Sequence, residues 1–536
     1  MMVTKRRWLL VSLACAPLAC GASGDALSSS AERGAFPGDP TASGATAGGA
    51  SSDAAAPERE LESLYEAPVA TGRYVWTANP RSGRVAFVDA TTLAVRTLEA
   101  GNQPTFLATV PPTCAPKPCD DDKVIVLNSG SKDATLIGVG ATLDVATVPV
   151  PSGGNRWAVA PNGLTAIAWT DARREASAPK TLGFQDVCIV DLATRRSTVL
   201  AVGYRPVAIG FSAAGDKAFA VTQDGVSVVE LATASGPRVS KNVALSDAPL
   251  EDPGSRDVSL TPDGAYALVR RDGASTVTVI SLVDGTRKTV TLDGPVTDLD
   301  LGPNGDRAIA VVRSTAKAVI LPIPQIWNDP LTFDTVTLPG ETVGSVAFAP
   351  EGSRALLYTT DSSVERMSVL DFSTTPATTR PTRLYSPVLA AFLAPSGAHA
   401  VVFHPPVSAS AGGPATSAFS LVPLSAELPA KIVATEAPTM QVAIAPESDR
   451  AIITERDDRS KVYRASLASF PSLMVQRYTL ASPPIAAGVA ARSRRAFVAQ
   501  EHPEGRITFI DFATGAARTL TGFELAARVV DGSVGR

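Results

Sequence analysis

The chain has 536 residues, 45% hydrophobic, 19% charged and only 6% aromatic. That is too apolar for a disordered chain, and its apolar runs are too short for a polytopic membrane protein. A formal net charge of −4, from 48 basic and 52 acidic residues, excludes the basic field of a general nucleic-acid binder, and three His and five Cys leave little material for a metal or nucleophile site.

Lys5, Arg6 and Arg7 form a positive n-region, followed by the apolar run WLLVSLACAPLA (8–19). This run is too short to span a bilayer and has the length of a signal-peptide h-region. It ends at PLAC-Gly, which resembles the bacterial lipobox, with Pro17 where the usual Leu stands. The resemblance implies cleavage after residue 19 and lipidation of Cys20. Cys15 is the alternative, and ordinary secretion with an idle Cys20 is the other reading. Gly21 lacks the Asp of the enteric inner-membrane retention pattern, which implies the outer membrane. Residues 20–72 read as the lipidated Cys and a tether rich in Ala, Ser and Gly, unable to offset its chain entropy by burial. Such a coil spans roughly 40 Å.

From residue 73 to 536 the chain repeats itself. The unit centre is an apolar strand, a Pro-x-Gly-like turn and a second apolar strand, as in WAVAPNGLTAIAWT (157–170), VSLTPDGAYALVRR (258–271) and VAFAPEGSRALLYT (346–359). The turn position is held by Gly163, Gly215, Gly264, Gly305, Gly352, Gly397, Ser448 and Ser493, at intervals of 41 to 52 residues. A period in the forties predicts four strands per unit. The third strand is visible in VCIVDLAT (187–194) and ITFIDFAT (507–514), and a shorter fourth strand follows it. The first unit (73–100) has strands two, three and four but no first strand, and ELAARVVDG (524–532) is a first strand with no successors. Pairing the two would close a ring and remove two exposed edges. Counting this split unit and one whose turn is hidden by the insertion PPTCAPKPCDDDK, there are ten units. The expectation is an all-β propeller of about ten four-stranded units in one wide ring, with two smaller rings as the alternative.

The Pro-Asp-Gly turn at 262–264 and YVWTAN (74–79) resemble the bacterial YVTN-type β-propeller repeat over residues 73–536. The resemblance implies a fold and leaves the function open, since such propellers host many roles.

Aligned on the turn Pro, the residues two and four before it are bulky (Val159 and Trp157, Phe348 and Val346), and those one and three before it are mostly small. One strand face is therefore bulky and the other small, which suits a wedge packed between neighbours. Five before the Pro, the residue turns polar in Arg156, Asp257, Asp298, Ser345 and Gln441. The expectation is solvated strand ends. The functional alternative is a polar ligand or peptide bound where these residues converge at one mouth of the channel.

Cys114 and Cys119 flank an inserted loop, and an exported protein favours a local disulfide there over two free thiols. Asp120, Asp121 and Asp122 read as a solvated acidic loop, with a Ca²⁺ site as the alternative. Cys188 reads as a buried small hydrophobe. His399 and His404 lie five apart on one predicted strand, hence on opposite faces, which argues against shared ligation. His502 is expected to be exposed. No metal or cofactor is expected, and no nucleophile elbow, phosphate loop or dinucleotide fingerprint occurs. The reading is a lipid-anchored envelope propeller that binds an envelope protein or a small polar ligand, and is not an enzyme. The alternatives are a lactonase-like hydrolase using Asp257 and Asp298, or a structural envelope component.

Overall fold

The computed structural model describes residues 65–66, 68–113, 122–171, 185–248, 251, 253–360, 363–406, 417–424, 428–526 and 528–529. Residues 1–64, with the expected signal peptide, Cys15, Cys20 and nearly all of the expected tether, lie outside these, as do Cys114, Cys119, Asp120 and Asp121.

Ten four-stranded sheets are present, each an antiparallel meander whose spatial order equals its chain order. They are blades 1 to 10, spanning 69–99, 104–149, 156–201, 208–244, 256–291, 298–337, 345–383, 390–435, 439–479 and 484–521. The only α-helix among the described residues is Gln325–Asn328. The two middle strands of a blade are buried on both faces, as in Thr165–Trp169 and Asp186–Asp191, and so read as continuous apolar runs. The fourth strand alternates or is exposed, as in Val95–Glu99 and Met474–Thr479. It therefore lies at the rim, and the first strand lies towards the axis.

The ring follows from the cores. Ten large apolar clusters each join two blades, and they run 1–2, 2–3 and so on to 9–10 and 10–1. Every blade shares one core with its predecessor and one with its successor. Two smaller rings would need a core between non-consecutive blades, and no such cluster occurs among the described residues. The chain is one closed ten-bladed β-propeller.

The bulky and small faces of the first strands have a fixed sense. Val346 and Phe348 pack in the core shared with blade 6, while Ala347 and Ala349 pack in the core shared with blade 8, beside Ala391 and Leu393. The same sense holds for the large apolar residues of blades 3 to 6 and 9, whereas blades 2 and 8 turn Phe106 and Phe392 towards their successors. The turns interlock in the same direction. Gly163 has φ +66, and a Cβ there would run into the Pro111 carbonyl of the preceding blade. Glycine is needed there for both conformation and space. In blade 9, Ser448 itself takes the left-handed conformation (φ 59), as the repeat alignment implies. In blade 10 that conformation falls on Arg494 (φ 51), not on Ser493, because the turn closes one residue later, from Arg494 N–H to Ala491 O at 3.0 Å.

The ring closure differs in one detail from the sequence expectation. Blade 1 has its own first strand, Val69–Ala70, paired with Val75 and Trp76. The carboxyl-terminal strand Arg528–Val529 pairs instead with Tyr65–Glu66, just upstream of the blade. The two-residue strand was missed because VA is too short to show alternation. Residues 523–526 form a strap over the seam. Leu525 is buried in the core between blades 10 and 1, Asn79 Nδ2 donates to Phe523 O at 2.9 Å, and Ser82 Oγ donates to Glu524 Oε2 at 2.6 Å.

Candidate functional site

Residues five before the turn Pro share parity with the small face, so they point at the following blade. Asp298 Oδ2 accepts the Val346 N–H of blade 7 at 2.7 Å, and Asp300 Oδ2 accepts the Phe348 N–H at 2.9 Å. These carboxylates satisfy backbone donors on the edge of the next innermost strand, which would otherwise lack partners. Gln441 Nε2 donates to Ile485 O of blade 10 at 3.1 Å. Asp257 is 3% exposed and forms an ion pair with Arg270, its direct cross-strand partner. Arg270 Nη1 in turn donates to Asp272 at 2.9 Å and to Val296 O, just ahead of blade 6, at 3.3 Å. Burial works against the Arg270 charge, but the carboxylates of Asp257, Asp298 and Asp272 outweigh it and hold its pKa above the ordinary value. Ser345 is buried, and Arg156 lies half-buried 3.8 Å from Asp171.

Asp257, Ser345 and Gln441 are buried rather than solvated, and the contacts of Asp257, Asp298 and Gln441 join neighbouring strands and blades. Asp257 and Asp298, the acids a hydrolase would need, are engaged by Arg270 and by the Val346 and Leu299 N–H groups respectively.

A second polar ring was not anticipated. Asn79, Asn128, Thr222, Thr359, His404 and Gln500 end the second strands of their blades or follow them directly, Glu455 lies two residues before the end of its longer strand Arg450–Asp457, and each is at most 1% exposed. In four blades this side chain bonds a hydroxyl on the third strand. Asn128 Nδ2 reaches Thr135 at 2.9 Å, His404 Nε2 reaches Ser420 at 2.7 Å, Glu455 Oε1 accepts from Ser466 at 3.0 Å, and Gln500 Nε2 donates to Thr508 at 2.7 Å. The signal in the sequence was the terminal Asn of YVWTAN, repeated as a polar residue after an apolar strand.

The histidines stand apart. His399 stacks on Phe470 with centroids 4.7 Å apart, while His404 is held between Pro387 O, 2.6 Å from Nδ1, and Ser420. His502 is half-exposed and accepts the Glu504 N–H at 3.2 Å. Among the described residues no three His, Cys, Asp or Glu side chains are grouped to hold a metal. Asp122 is buried, 2.6 Å from Arg492, and also accepts the Arg73 N–H at 3.3 Å, so it ties blades 10, 1 and 2 together and is not part of a solvated loop. Cys188 is buried, and that burial pushes its thiol up to about 11.

The first strands, nearest the axis, differ in how well they are covered. Phe106, Trp157, Val159, Ile209 and Phe211, on the first strands of blades 2, 3 and 4, are only half-buried, whereas the first strands of blades 5 and 7 are buried throughout. The bulky faces of blades 3 and 4 are thus incompletely covered by their predecessors, and Phe106, which packs with Trp157 and Val159 against the core between blades 2 and 3, extends the half-covered apolar arc. Arg156 and Asp171 lie at its polar edge.

No protein-family model and no curated protein sequence matches the chain. Solved structures do. One is the dihydro-heme d1 dehydrogenase NirN in complex with DHE, at 12% identity and TM-score 0.42, over 79% of this chain and 80% of that one. Another is the β-propeller domain of Cps50 (Swd1) from Myceliophteria thermophila, at 14% identity and TM-score 0.32, over 59% and 96%. A third is hydrazine synthase from Kuenenia stuttgartiensis, at 14% identity and TM-score 0.33, over 59% and 95%. These proteins differ in role from one another, and the likeness selects no function.

Proposed function

We propose that this protein is a lipid-anchored binding module of the bacterial cell envelope, whose ring takes an extended protein segment against its channel wall. The observation that carries this reading is the half-covered apolar arc of Phe106, Trp157, Val159, Ile209 and Phe211 on three consecutive inner strands. Apolar surface left partly open beside polar groups is the usual chemistry of a binding surface. The envelope address is supported by the basic n-region, the apolar run and Cys20, and the Ala/Ser/Gly-rich tether would hold the ring clear of an outer-membrane surface.

The test is mild cross-linking of native envelopes, followed by affinity capture and mass spectrometry. A stoichiometric partner is expected with the unaltered chain and is lost with Ile209→Ser plus Phe211→Ser. In parallel, Cys20→Ser abolishes incorporation of labelled palmitate and releases the protein from the membrane fraction. Recovery of the unaltered protein alone would count against the binding role. Membrane retention of Cys20→Ser would count against the anchor.

A further inference from the structure

All four residues of the first strand of blade 4, Ala208–Phe211, are half-buried, so both faces of that strand are open. Its neighbours also stand off. The first strands of blades 2 and 3, and of blades 6 and 7, run close together, whereas that of blade 4 keeps its distance from those of blades 3 and 5.

The inner edge of the strand is open as well. Ser212 N–H bonds Lys217 O at 3.0 Å and closes the hairpin with the second strand. Bonded and non-bonded residues alternate along an antiparallel pair, so Gly210 makes the next ladder bonds, and Ile209 and Phe211 turn their N–H and C=O groups towards the axis. Blade 7 shows how the ring covers the equivalent edge. There Ala349 N–H closes the hairpin on Arg354 O, and the outward N–H groups of Val346 and Phe348 are taken by Asp298 and Asp300 of blade 6. The residues that would serve blade 4 in the same way are Arg156 and Ala158 of blade 3. One side chain is a donor only, and the other has no polar group. Among the described residues, the Ile209 and Phe211 N–H groups have no acceptor.

We propose, on the basis of the binding role above, that the bound segment adds a strand to this inner edge of blade 4. Its backbone would pair with the N–H and C=O groups of Ile209 and Phe211, and apolar side chains at every second position would lie beside theirs. Only an extended polypeptide carries donors and acceptors at this spacing together with alternating side chains. Ala208 and Gly210 leave the other face of the added strand without large neighbours, so the intervening residues are free to be polar. The Ala/Ser/Gly-rich stretch ahead of the ring has no alternating apolar run, so the strand comes from another chain.

The test is fluorescence anisotropy of labelled acetyl-Lys-Val-Thr-Val-Thr-Val-Lys-amide with the mature chain. Two further peptides are N-methylated, one at its Val nitrogens and one at its Thr nitrogens. Alternate N–H groups of a strand face opposite edges, so methylation of one set lowers affinity by about tenfold or more and methylation of the other leaves it unchanged. That contrast is read on the unaltered chain and needs no variant. Ile209→Pro removes an edge donor that the blade's own ladder does not use, and weakens binding more than Ile209→Ala, with a thermal melt showing both folded. The proposal fails if the peptide does not bind at millimolar concentration, if the two methylated peptides bind alike, or if folded Ile209→Pro binds as well as Ile209→Ala. Should a partner captured from envelopes still be lost with Ile209→Ser plus Phe211→Ser, the binding role stands and only the added strand falls.

Discussion

At the scale of single residues, register explains most of what the polar side chains do. The parity of Asp257, Asp298, Ser345 and Gln441 was legible from the repeats, because strand side chains alternate. Their reach was not. Whether Asp298 ends in water or on the Val346 N–H depends on how closely the next blade approaches, and no residue of Asp298's own strand encodes that distance. His404 shows the same limit. It was legible as a strand-end histidine facing away from His399, but its bonds to Pro387 O and Ser420 come from segments 17 and 16 residues away. Burial holds its pKa below the ordinary histidine value, although the Pro387 carbonyl works in the other direction. A depressed histidine pKa contributes stability that is complete above the unfolded value, near 6.5, and is lost as pH falls through the folded one. His399, also lowered by burial, acts in the same sense. Melting temperature should therefore decline between about pH 7.5 and 5, and His404→Gln should flatten part of that decline. An unchanged slope in the variant would assign the dependence to other groups.

Among elements, the alternation of bulky and small residues was the most informative pattern in the chain. It predicted wedge-shaped blades, and the structure adds the direction, in most blades bulky onto the preceding one and small towards the next. The open arc on blades 2 to 4 was not readable, because Trp157 and Phe211 carry the same bulky-face pattern as the fully buried Phe348. The difference lies in how far the preceding blade covers them. The seam was half legible. The last apolar stretch was expected to meet the chain's beginning, and it does, but through Arg528–Val529 on Tyr65–Glu66 and through the strap at 523–526. Leu525 is 3% exposed and packs with Val75, Phe497 and Ile507. Its truncation in Leu525→Ala should cost about 2–4 kcal/mol in denaturant-induced unfolding, by lost transfer energy and the cavity left behind. A loss within experimental error would mean that the strap does not hold the seam.

For the whole molecule, the account rests on a single closed ring. Counting repeats along the sequence gives ten units, but a count cannot distinguish one ring from two, since each blade's local pattern is the same in either. The distinction lies in a contact between the two ends of the repeat array. Thr91 in blade 1 and Ser493 in blade 10 are 402 positions apart, yet their hydroxyl oxygens lie 3.0 Å from each other at the surface of the seam. Two rings built from consecutive blades would hold these residues far apart. The most direct measurement is therefore oxidative cross-linking of a chain carrying Thr91→Cys and Ser493→Cys, digested and read by mass spectrometry. One closed ring predicts a disulfide between the two positions in the monomer, formed in the folded protein and not after denaturation. Absence of that linked peptide pair from folded monomer would contradict the ten-bladed ring.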